Sequence, residues 1–339
     1  MAHTQSIQKQ KKYCVVFLQM GGPKNKREIK EFLENLFSDP EIIQLPTVMR
    51  PFQKIIAKII TKSRIKGTIE MYEQIGGKSP ILEITNSFAK QVKEQLISKG
   101  YNAETFVIMR YTKPRAKETI KEIQNSDCDE IILFTLYPHY SNATTGSSIK
   151  DFYKHKNGKI NSVEIKEIKE WGLESTYIDW WIKNINEVLQ EIPSEEIKQT
   201  HILFSAHSLP KKYVEQGDPY LEQLNQSYQI IINEIKKKYP QIKTTLTFQS
   251  KVGPVEWLQP YTEEKIREIG QKKTKHLIIV PFGFVSDHLE TVYEIDIYYR
   301  KIAEQSKIPF FYRIKTPNDD PEFASGIANI IEKKVMANE

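Results

Sequence analysis

The segments HILFSAHSLP (201–210) and LIIVPFGFVSDHLETVYEID (277–296) decide the predicted fold of this chain. Each begins as an apolar, strand-like run and ends abruptly in ionisable side chains, which are His207, Asp287, His288, Glu290 and Glu294. Ligands of open α/β sheets bind at the carboxyl ends of the strands. An imidazole and a row of carboxylates at that edge predict a site that moves protons, binds a metal, or does both.

Strand-like and helix-like segments alternate along the chain, which is typical of parallel sheets covered by helices. The predicted strands are Tyr13–Leu18, Thr105–Arg110, Glu130–Leu136, His201–Ser205, Thr244–Gln249 and His276–Pro281. The predicted helices are Lys26–Phe37, Ser87–Lys99, Lys117–Asn125, Pro219–Lys238, Thr262–Gln271 and Pro321–Val335. The sequence therefore predicts an α/β fold.

The two halves of the chain resemble each other. YCVVFLQMGGP (13–23) parallels 201–210, and EIILFTLYPHYS (130–141) parallels HLIIVPFGFVS (276–286). We therefore expect two similar α/β lobes with the site in the cleft between them. The predicted N-terminal lobe spans 12–165, including 46–66; the C-terminal lobe spans 166–317; and a final helix at about 318–336 packs back on the first lobe.

Composition indicates a soluble globular protein of 339 residues, with 39% hydrophobic and 27% charged residues. The net charge of +6 is too modest to indicate nucleic acid as a partner. The N-terminal MAHTQSIQKQKK (1–12) has no apolar core of a signal peptide, and the longest apolar run, 277–285, is too short to span a membrane. We therefore expect a cytoplasmic protein.

The chain has two cysteines, Cys14 and Cys128, which excludes a zinc or iron–sulfur site with four cysteine ligands from one chain. Cys14 is interpreted as a small, buried, apolar residue of a strand.

Seven sequence blocks closely resemble the ferrochelatases, which insert Fe²⁺ into a porphyrin to make haem. In chain order they are LQMGGP (18–23), YEQIGGKSP (72–80), MRYTKP (109–114), LYPHYSNATTGSS (136–148), LFSAHSLP (203–210), QSKVGPVEWLQPYT (249–262) and SDHLETVYEID (286–296). The resemblance implies a chelatase-like fold: two Rossmann-like lobes, each with a parallel sheet flanked by helices, and a porphyrin cleft between them.

Iron insertion requires two pyrrole N–H protons to leave, and histidine is the side chain whose ordinary pKa suits that step. His207 is assigned as the base, with a metal contact. By resemblance, Glu290 is its paired acid and faces it across the macrocycle. On the residues alone, a structural histidine at a strand end remains an alternative.

The acidic residues Asp287, Glu290 and Glu294 are spaced i, i+3 and i+7, which places them on one face of a predicted helix. Oxygen and imidazole ligands suit a transient Fe²⁺, because they do not trap it as thiolates would. A solvated helix face is the alternative on the residues alone. With the resemblance, the predicted metal-binding set is His207, Glu290, Glu294, Asp287 and His288, the last three also serving as a proton relay.

Porphyrins carry anionic propionates on a broad apolar ring. By resemblance, propionates are bound by Arg64, Tyr72 and Ser79, since an arginine fork fits a carboxylate. The remaining pocket positions implied by the resemblance are Met20, Arg110, Tyr111, Tyr137, Trp257 and Phe284. A surface arginine, polar loop groups and ordinary core aromatics are the alternatives for these residues.

The segment VMRPFQKIIAKIITKSRIKG (48–67) is a candidate basic amphipathic helix. Its apolar stripe, Ile55, Ile56, Ile59 and Ile60, lies beside Lys54, Lys58, Lys62 and Arg64. Such a helix can lie in a membrane interface, although a surface helix with its stripe in the core is the alternative. The resemblance implies a hydrophobic lip over the pocket, which predicts peripheral association with the inner face of the membrane.

The MGGP block favours protoporphyrin IX as substrate, with coproporphyrin III as the alternative. No tightly bound cofactor and no [2Fe–2S] cluster are expected; Fe²⁺ is a substrate. The resemblance also allows a transient complex with the enzyme that oxidises the preceding porphyrinogen. Two further alternatives remain: a cobalt or nickel chelatase for another tetrapyrrole, and a non-catalytic porphyrin or haem carrier.

Overall fold

The structure is a computed structural model that describes residues 10–336. Residues 1–9, which make up most of the segment on which the absence of a signal peptide was judged, lie outside the described part. Among the described residues, no helix combines the length and the apolar character needed to cross a bilayer.

Within residues 10–336, eight parallel strands form two four-stranded sheets. They are β1 (Lys12–Gln19), β2 (Asn102–Met109), β3 (Glu130–Thr135), β4 (Glu164–Ile168), β5 (Thr200–His207), β6 (Lys243–Gln249), β7 (His276–Pro281) and β8 (Phe310–Arg313). The strand orders are β2-β1-β3-β4 and β6-β5-β7-β8. The central strands read as continuous apolar runs because helices cover both faces of each sheet.

All six predicted strands are present, but the sequence analysis missed β4 and β8. Both are short edge strands, and β4 (EIKEI) is mostly polar, so neither carries the apolar pattern of a central strand. The boundary predicted between residues 165 and 166 falls inside β4, which pairs with β3. The first sheet therefore continues to Ile168.

Eleven α-helices are described: α1 (Ile29–Phe37), α2 (Gln53–Gln74), α3 (Ile81–Ser98), α4 (Ala116–Asn125), α5 (Ser147–His155), α6 (Ser175–Glu191), α7 (Lys211–Glu215), α8 (Tyr220–Lys238), α9 (Thr262–Gln271), α10 (Arg300–Gln305) and α11 (Pro321–Ile331). Short 3₁₀ segments lie at Lys26–Glu28, Thr47–Phe52, Gly158–Asn161 and Ser194–Gln199. Three π-helical segments lie at Asn142–Gly146, Glu290–Tyr299 and Glu332–Met336. We call Glu290–Tyr299 the acidic π-helix.

The two lobes share one apolar core. Phe17 and Phe134 from the first sheet and Phe204 and Phe282 from the second belong to the same buried cluster. The final helix α11 packs on α3 and α6, and its Phe323 contacts both Phe88 and Trp180, with ring centroids 6.3 and 5.6 Å apart. Continuous packing of this kind holds the lobes in one arrangement.

Cys14 and Cys128 are bonded as a disulfide, with Cα atoms 5.8 Å apart, a separation typical of such bonds. Cys14 is fully buried, as expected. Its interpretation as a purely apolar packing residue is wrong, because its sulfur is bonded to that of Cys128, which precedes β3.

Candidate active site

The candidate site lies where the carboxyl ends of the two sheets meet. β5 ends at His207, and the acidic π-helix begins nine residues after the end of β7. Leu289, just before that helix, packs against the first-lobe cluster that contains Tyr72 and Tyr111. The helix α2 of the first lobe also contacts the acidic π-helix. Strand ends from both lobes therefore contribute to one site.

His207 and Glu290 form the central pair. The His207 Nδ1 atom lies 2.8 Å from Glu290 Oε2. Burial favours a neutral imidazole, but the carboxylate of Glu290 outweighs it and raises the pKa of His207. Burial likewise opposes ionisation of Glu290, yet the charge and hydrogen bond of His207 hold the pKa of this carboxyl far below its ordinary value. Once His207 is protonated, the pair is therefore stabilised as imidazolium and carboxylate.

The hydrogen bond also fixes the tautomer of a neutral His207. A carboxylate can only accept, so Nδ1 carries the proton, and the lone pair is on Nε2. The side chain is 38% exposed. His207 can therefore accept a proton at Nε2 while Glu290 stabilises the resulting charge.

The predicted position of Glu290 across the macrocycle from His207 is wrong. A separation of 2.8 Å between Nδ1 and Oε2 leaves no room for a porphyrin between them. Both groups follow strands of the same sheet, and for this reason they lie side by side. Any porphyrin must meet the pair from one side.

His288 is the second imidazole beside Glu290. Its Nδ1 lies 3.0 Å from the Ser286 carbonyl, which can only accept, so Nδ1 carries the proton of the neutral ring. Its Nε2 lies 3.8 Å from Glu290 Oε2, and its ring packs on Phe284 with centroids 4.8 Å apart. Glu290 is thus flanked by two imidazoles.

The prediction that Asp287, Glu290 and Glu294 share one face of an α-helix is wrong. Asp287 precedes the helix, which is a π-helix from Glu290 onward. The carboxylate of Asp287 accepts from Arg313, Thr291 and Asn318 at 2.8, 2.8 and 3.0 Å. Burial opposes ionisation of Asp287, but the charge of Arg313 outweighs it and lowers the pKa. Asp287 therefore faces β8 and not Glu290.

Glu294 is held by four donors. Its Oε1 accepts from the backbone N–H of Ser250 at 3.0 Å and from the Tyr299 hydroxyl at 2.8 Å. Its Oε2 accepts from the Ser250 hydroxyl at 2.5 Å and from Gln249 Nε2 at 3.2 Å. Burial and the nearby charge of Glu290 nevertheless raise the pKa of Glu294. Both oxygens are engaged within the protein.

The five residues predicted to bind metal do not form one cluster. Within residues 10–336, no three His, Cys, Asp or Glu side chains converge in a geometry that could hold a metal ion. His207 and His288 flank Glu290, whereas Asp287 and Glu294 are bound elsewhere. The preformed part of the site is therefore two imidazoles and one carboxylate.

The amino-acid sequence of this chain matches a known protein family. The family model for ferrochelatase matches residues 12–335. The chain belongs to the ferrochelatase family. It is 39% identical over 322 residues to a ferrochelatase of Aquifex aeolicus, covering 95% of this chain and 99% of that protein. It is 40% identical over 320 residues to a ferrochelatase of Trichormus variabilis, covering 94% of this chain and 81% of that protein.

A solved structure of SirB from Bacillus subtilis with Fe³⁺ resembles this chain in fold. The TM-score is 0.53 at 10% sequence identity, and the match covers 96% of this chain and 97% of the other. The likeness supports the predicted two-lobed α/β chelatase fold, with two parallel sheets flanked by helices. That fold and the ferrochelatase family are both confirmed.

The side chains that the ferrochelatase resemblance assigns to propionate binding are partly or fully buried. Arg64 lies half-buried on α2, and burial lowers its pKa. Ser79 is 5% exposed, and its Oγ accepts a hydrogen bond from the Ile81 N–H at 3.4 Å. Tyr72 is buried, and it lies close enough to Glu290 for that charge to add to burial in raising the pKa of its hydroxyl. Tyr72 therefore lies toward the His207–Glu290 pair.

Arg110 and Tyr111, which follow β2 of the first sheet, are both held by Asp39. The sequence analysis missed Asp39. Its Oδ2 accepts from Arg110 Nη2 and from the Tyr111 hydroxyl, each at 2.8 Å. Arg110 also donates to the Ser147 hydroxyl at 2.7 Å and lies 5.0 Å from the centroid of the Tyr111 ring. The charge of Arg110 is thus balanced inside the protein. Nothing in the local sequence SDP (38–40) indicated a buried anchor.

The other predicted pocket residues are held by separate sets of neighbours. Met20, after β1, packs on the first-lobe cluster, and the Tyr137 hydroxyl lies 3.4 Å from that of Ser148. Trp257 donates from Nε1 to the Val252 carbonyl at 2.9 Å, which closes the loop after β6 on itself. Phe284 packs on His288. Besides Asp39, the residues missed by the sequence analysis are Gln249, Ser250 and Tyr299.

Proposed function

We propose that this chain is the enzyme that inserts Fe²⁺ into protoporphyrin IX, with release of two protons, as the terminal step of haem synthesis. Family membership over residues 12–335 supports a metal chelatase. The single observation that carries the residue roles is the direct His207–Glu290 hydrogen bond at the ends of the second-lobe strands. No tightly bound cofactor is needed for this chemistry.

His207 is the base of the proposed reaction. Its Nε2 takes a pyrrole N–H proton, and the ionised Glu290 stabilises the imidazolium that forms. The raised pKa of His207 and the lowered pKa of Glu290 both favour that charged product. Each N–H···N transfer breaks a pyrrole N–H bond, forms an imidazole N–H bond and leaves the electron pair on the pyrrole nitrogen, which then binds the metal. Because Nε2 accepts one proton at a time, His207 releases the first proton to water before it takes the second.

The same side chains offer ligands to incoming Fe²⁺. A carboxylate oxygen of Glu290 and the Nε2 atom of His288 are ligand types that suit Fe²⁺ without trapping it. Three protein ligands or fewer are enough, since the four pyrrole nitrogens complete the coordination as the metal enters the ring. The oxygens of Glu294 are both engaged, which leaves them poorly placed to bind iron. Burial and the charge of Glu290 raise the pKa of Glu294, which suits this carboxylate to receive a proton.

Segment 48–67 supports peripheral membrane association. It contains no acidic residue, and its basic residues are Arg50, Lys54, Lys58, Lys62, Arg64 and Lys66. Within residues 10–336 none of these six forms an ion pair. Val48 is 80%, Ile55 57% and Ile59 64% exposed in the same segment. Apolar side chains among free cations suit an anionic lipid surface.

The membrane proposal is tested by cosedimentation with vesicles. We expect binding to vesicles of mixed phosphatidylglycerol and phosphatidylcholine, weaker binding to pure phosphatidylcholine, and loss of binding in the double variant Ile55→Glu/Ile59→Glu. The control is Ile230→Glu, because Ile230 is an exposed isoleucine on α8 (42%) outside the segment. Equal binding by the double variant and the parent would contradict the proposal.

Anaerobic turnover tests the main proposal. Purified protein is mixed with Fe²⁺ and protoporphyrin IX, and haem is followed by its absorbance while porphyrin fluorescence falls. We expect haem from the parent and none from His207→Ala. Haem from coproporphyrin III alone would move the substrate assignment to that alternative. Tight porphyrin binding without haem from either porphyrin would favour the carrier.

A further inference from the structure

Gln249, which has no assigned role, is the direct neighbour of His207 in the second sheet. It is the last residue of β6, and its Cα pairs with that of His207 in the parallel register of β5 and β6. Its backbone carbonyl accepts the N–H of Ser208 at 2.9 Å. The main chain of Gln249 therefore holds the strand end that carries the imidazole.

The side chain of Gln249 reaches the acidic π-helix. Its Nε2 donates to the backbone carbonyl of Glu290 at 3.0 Å and to Glu294 Oε2 at 3.2 Å. Its Oε1 accepts from the Ser205 hydroxyl at 2.6 Å. Because a carbonyl only accepts, the NH₂ group must face Glu290, and this determines the orientation of the amide.

Burial makes this orientation stable. Gln249 is 2% exposed, and Ser205 and Thr262, whose hydroxyls lie 2.7 Å apart, are fully buried. Thr262 in turn bonds to the Thr247 hydroxyl at 2.9 Å. A flipped amide would leave buried donors and acceptors unpaired, which is costly in a low-dielectric interior. The core of the second lobe thus orients a side chain at the edge of the site.

We propose that Gln249 is a positioning residue for metal insertion, which sets the distance between His207 and Glu290 by joining the end of β5 to the first turn of the acidic π-helix. This inference rests on the proposed function. Geometry matters here because a displacement of about 1 Å in a reacting group can cost about a hundredfold in rate. Gln249 acts through His207 and Glu290 and does not itself touch the reacting atoms.

The test compares Gln249→Met, which keeps the length of the side chain without its polar atoms, with the parent and with Gln223→Met. Gln223 is a matched control on α8, since its amide bonds the Tyr140 N–H at 2.7 Å, outside this network. We expect kcat of Gln249→Met to fall by about tenfold to a hundredfold, because displacing a reacting group by about 1 Å costs about a hundredfold in rate. The KM for porphyrin should stay close to that of the parent.

A second measurement does not depend on turnover. The proton shared by His207 Nδ1 and Glu290 should give a downfield ¹H NMR resonance that is absent from His207→Ala. We expect this resonance to shift or disappear in Gln249→Met and to remain in Gln223→Met. Two results for Gln249→Met would overturn the inference. One is an unchanged resonance together with the kcat of the parent. The other is an unchanged resonance with a loss of kcat that is explained by a fall in Tm.

The two proposals fail in distinguishable ways. A parent that forms no metalloporphyrin contradicts the proposed function, and the resonance then still reports whether Gln249 sets the His207–Glu290 contact. An active parent with an equally active Gln249→Met contradicts only the positioning role.

Discussion

Glu290 lies between two imidazoles and is the only carboxylate of the predicted metal set, within the described residues, that contacts either of them. This position explains why a partly buried acid stays ionised, since His207 donates to it and offsets the cost of burial. The same position makes Glu290 the residue whose substitution should separate substrate binding from chemistry.

We expect Glu290→Gln to lose turnover while it still binds porphyrin. The amide keeps the size of the side chain but removes the charge that stabilises a protonated His207, so kcat should fall by about a hundredfold or more. Fluorescence titration with protoporphyrin IX should give an affinity close to that of the parent. Glu256→Gln is the control, because Glu256 is an exposed acid that pairs with Lys211. Parental turnover by Glu290→Gln would contradict its assignment.

Individual residues differed in how far the sequence could predict them. His207 and Glu290 follow apolar strands in recognisable blocks, so the sequence predicted both, and the structure brings them into contact. Asp39 and Gln249 were missed, because their importance comes from partners 71 and 41 residues away. A buried hydrogen bond between distant residues leaves no local pattern.

At the level of elements, the start of the acidic π-helix is attached to β8 by one arginine. Arg313 donates from Nη1 to Asp287 at 2.8 Å and from Nε to Asp296 at 2.9 Å. Its charge lowers the pKa of Asp287, whereas burial of Asp296 outweighs the same charge and leaves its pKa raised. Arg313 therefore links the edge strand to both acids.

Arg313→Met should destabilise the fold, because it leaves the mostly buried Asp287 without a cation and Asp296 with only the longer contact to Arg300. We expect a loss of about 2–3 kcal/mol in the free energy of unfolding, somewhat below the range for a fully buried pair. Urea denaturation followed by circular dichroism measures this loss. Arg300→Met is the matched control, since Arg300 is 42% exposed and lies 3.8 Å from Asp296, so about 1 kcal/mol or less is expected. An equal loss of unfolding free energy in both variants would contradict a stabilising role for the contacts of Arg313 with Asp287 and Asp296.

Segment 48–67 shows how an element can follow its predicted pattern only in part. The predicted continuous helix is a 3₁₀ turn at Thr47–Phe52 followed by α2. Its apolar stripe divides: Ile55 and Ile59 face outward, whereas Ile60 packs on the first-lobe cluster. The core-face alternative therefore holds for Ile60, whereas the membrane face stays a prediction for the outward-facing Ile55 and Ile59.

At the scale of the whole molecule, His139 joins the two lobes. It follows β3 in the first lobe, and its Nε2 lies 2.9 Å from the hydroxyl of Ser227 on α8. Its ring packs on Phe282, with centroids 5.6 Å apart. Burial lowers the pKa of His139 to about 3, so the ring is neutral in the folded protein at neutral pH.

This buried histidine predicts a loss of stability in acid. The unfolded chain binds a proton at His139 below its ordinary pKa of about 6.5, whereas the folded protein does not until about pH 3. Stability is therefore unaffected above the unfolded pKa and declines as the pH falls toward the folded pKa. The contribution of His139 should be about 2 kcal/mol less stability at pH 5 than at pH 7.

Urea denaturation at pH 7 and pH 5 tests this contribution in three proteins. Between pH 7 and pH 5, the free energy of unfolding of His139→Asn should fall by about 2 kcal/mol less than that of the parent. Ser227→Ala should keep the pH dependence of the parent, because it retains the imidazole in its buried position. The same pH dependence in His139→Asn and the parent would contradict the assignment.

The sequence by itself determined the family, the alternation of strands and helices and the two-lobed α/β fold, and it named His207 and Glu290 as site residues, whose roles stay a prediction. These follow from local patterns, apolar periodicity and ordered motif blocks, which a single chain displays without folding. Only the tertiary structure decided which side chains contact each other. It places Glu290 beside His207 and Asp287 beside Arg313. It also surrounds Glu294 with Ser250 and Tyr299, and it lets Gln249 contact both sides of the site. Those contacts depend on the register of parallel strands and on a π-helix in place of an α-helix. The spacing of residues along the chain predicts neither of these features.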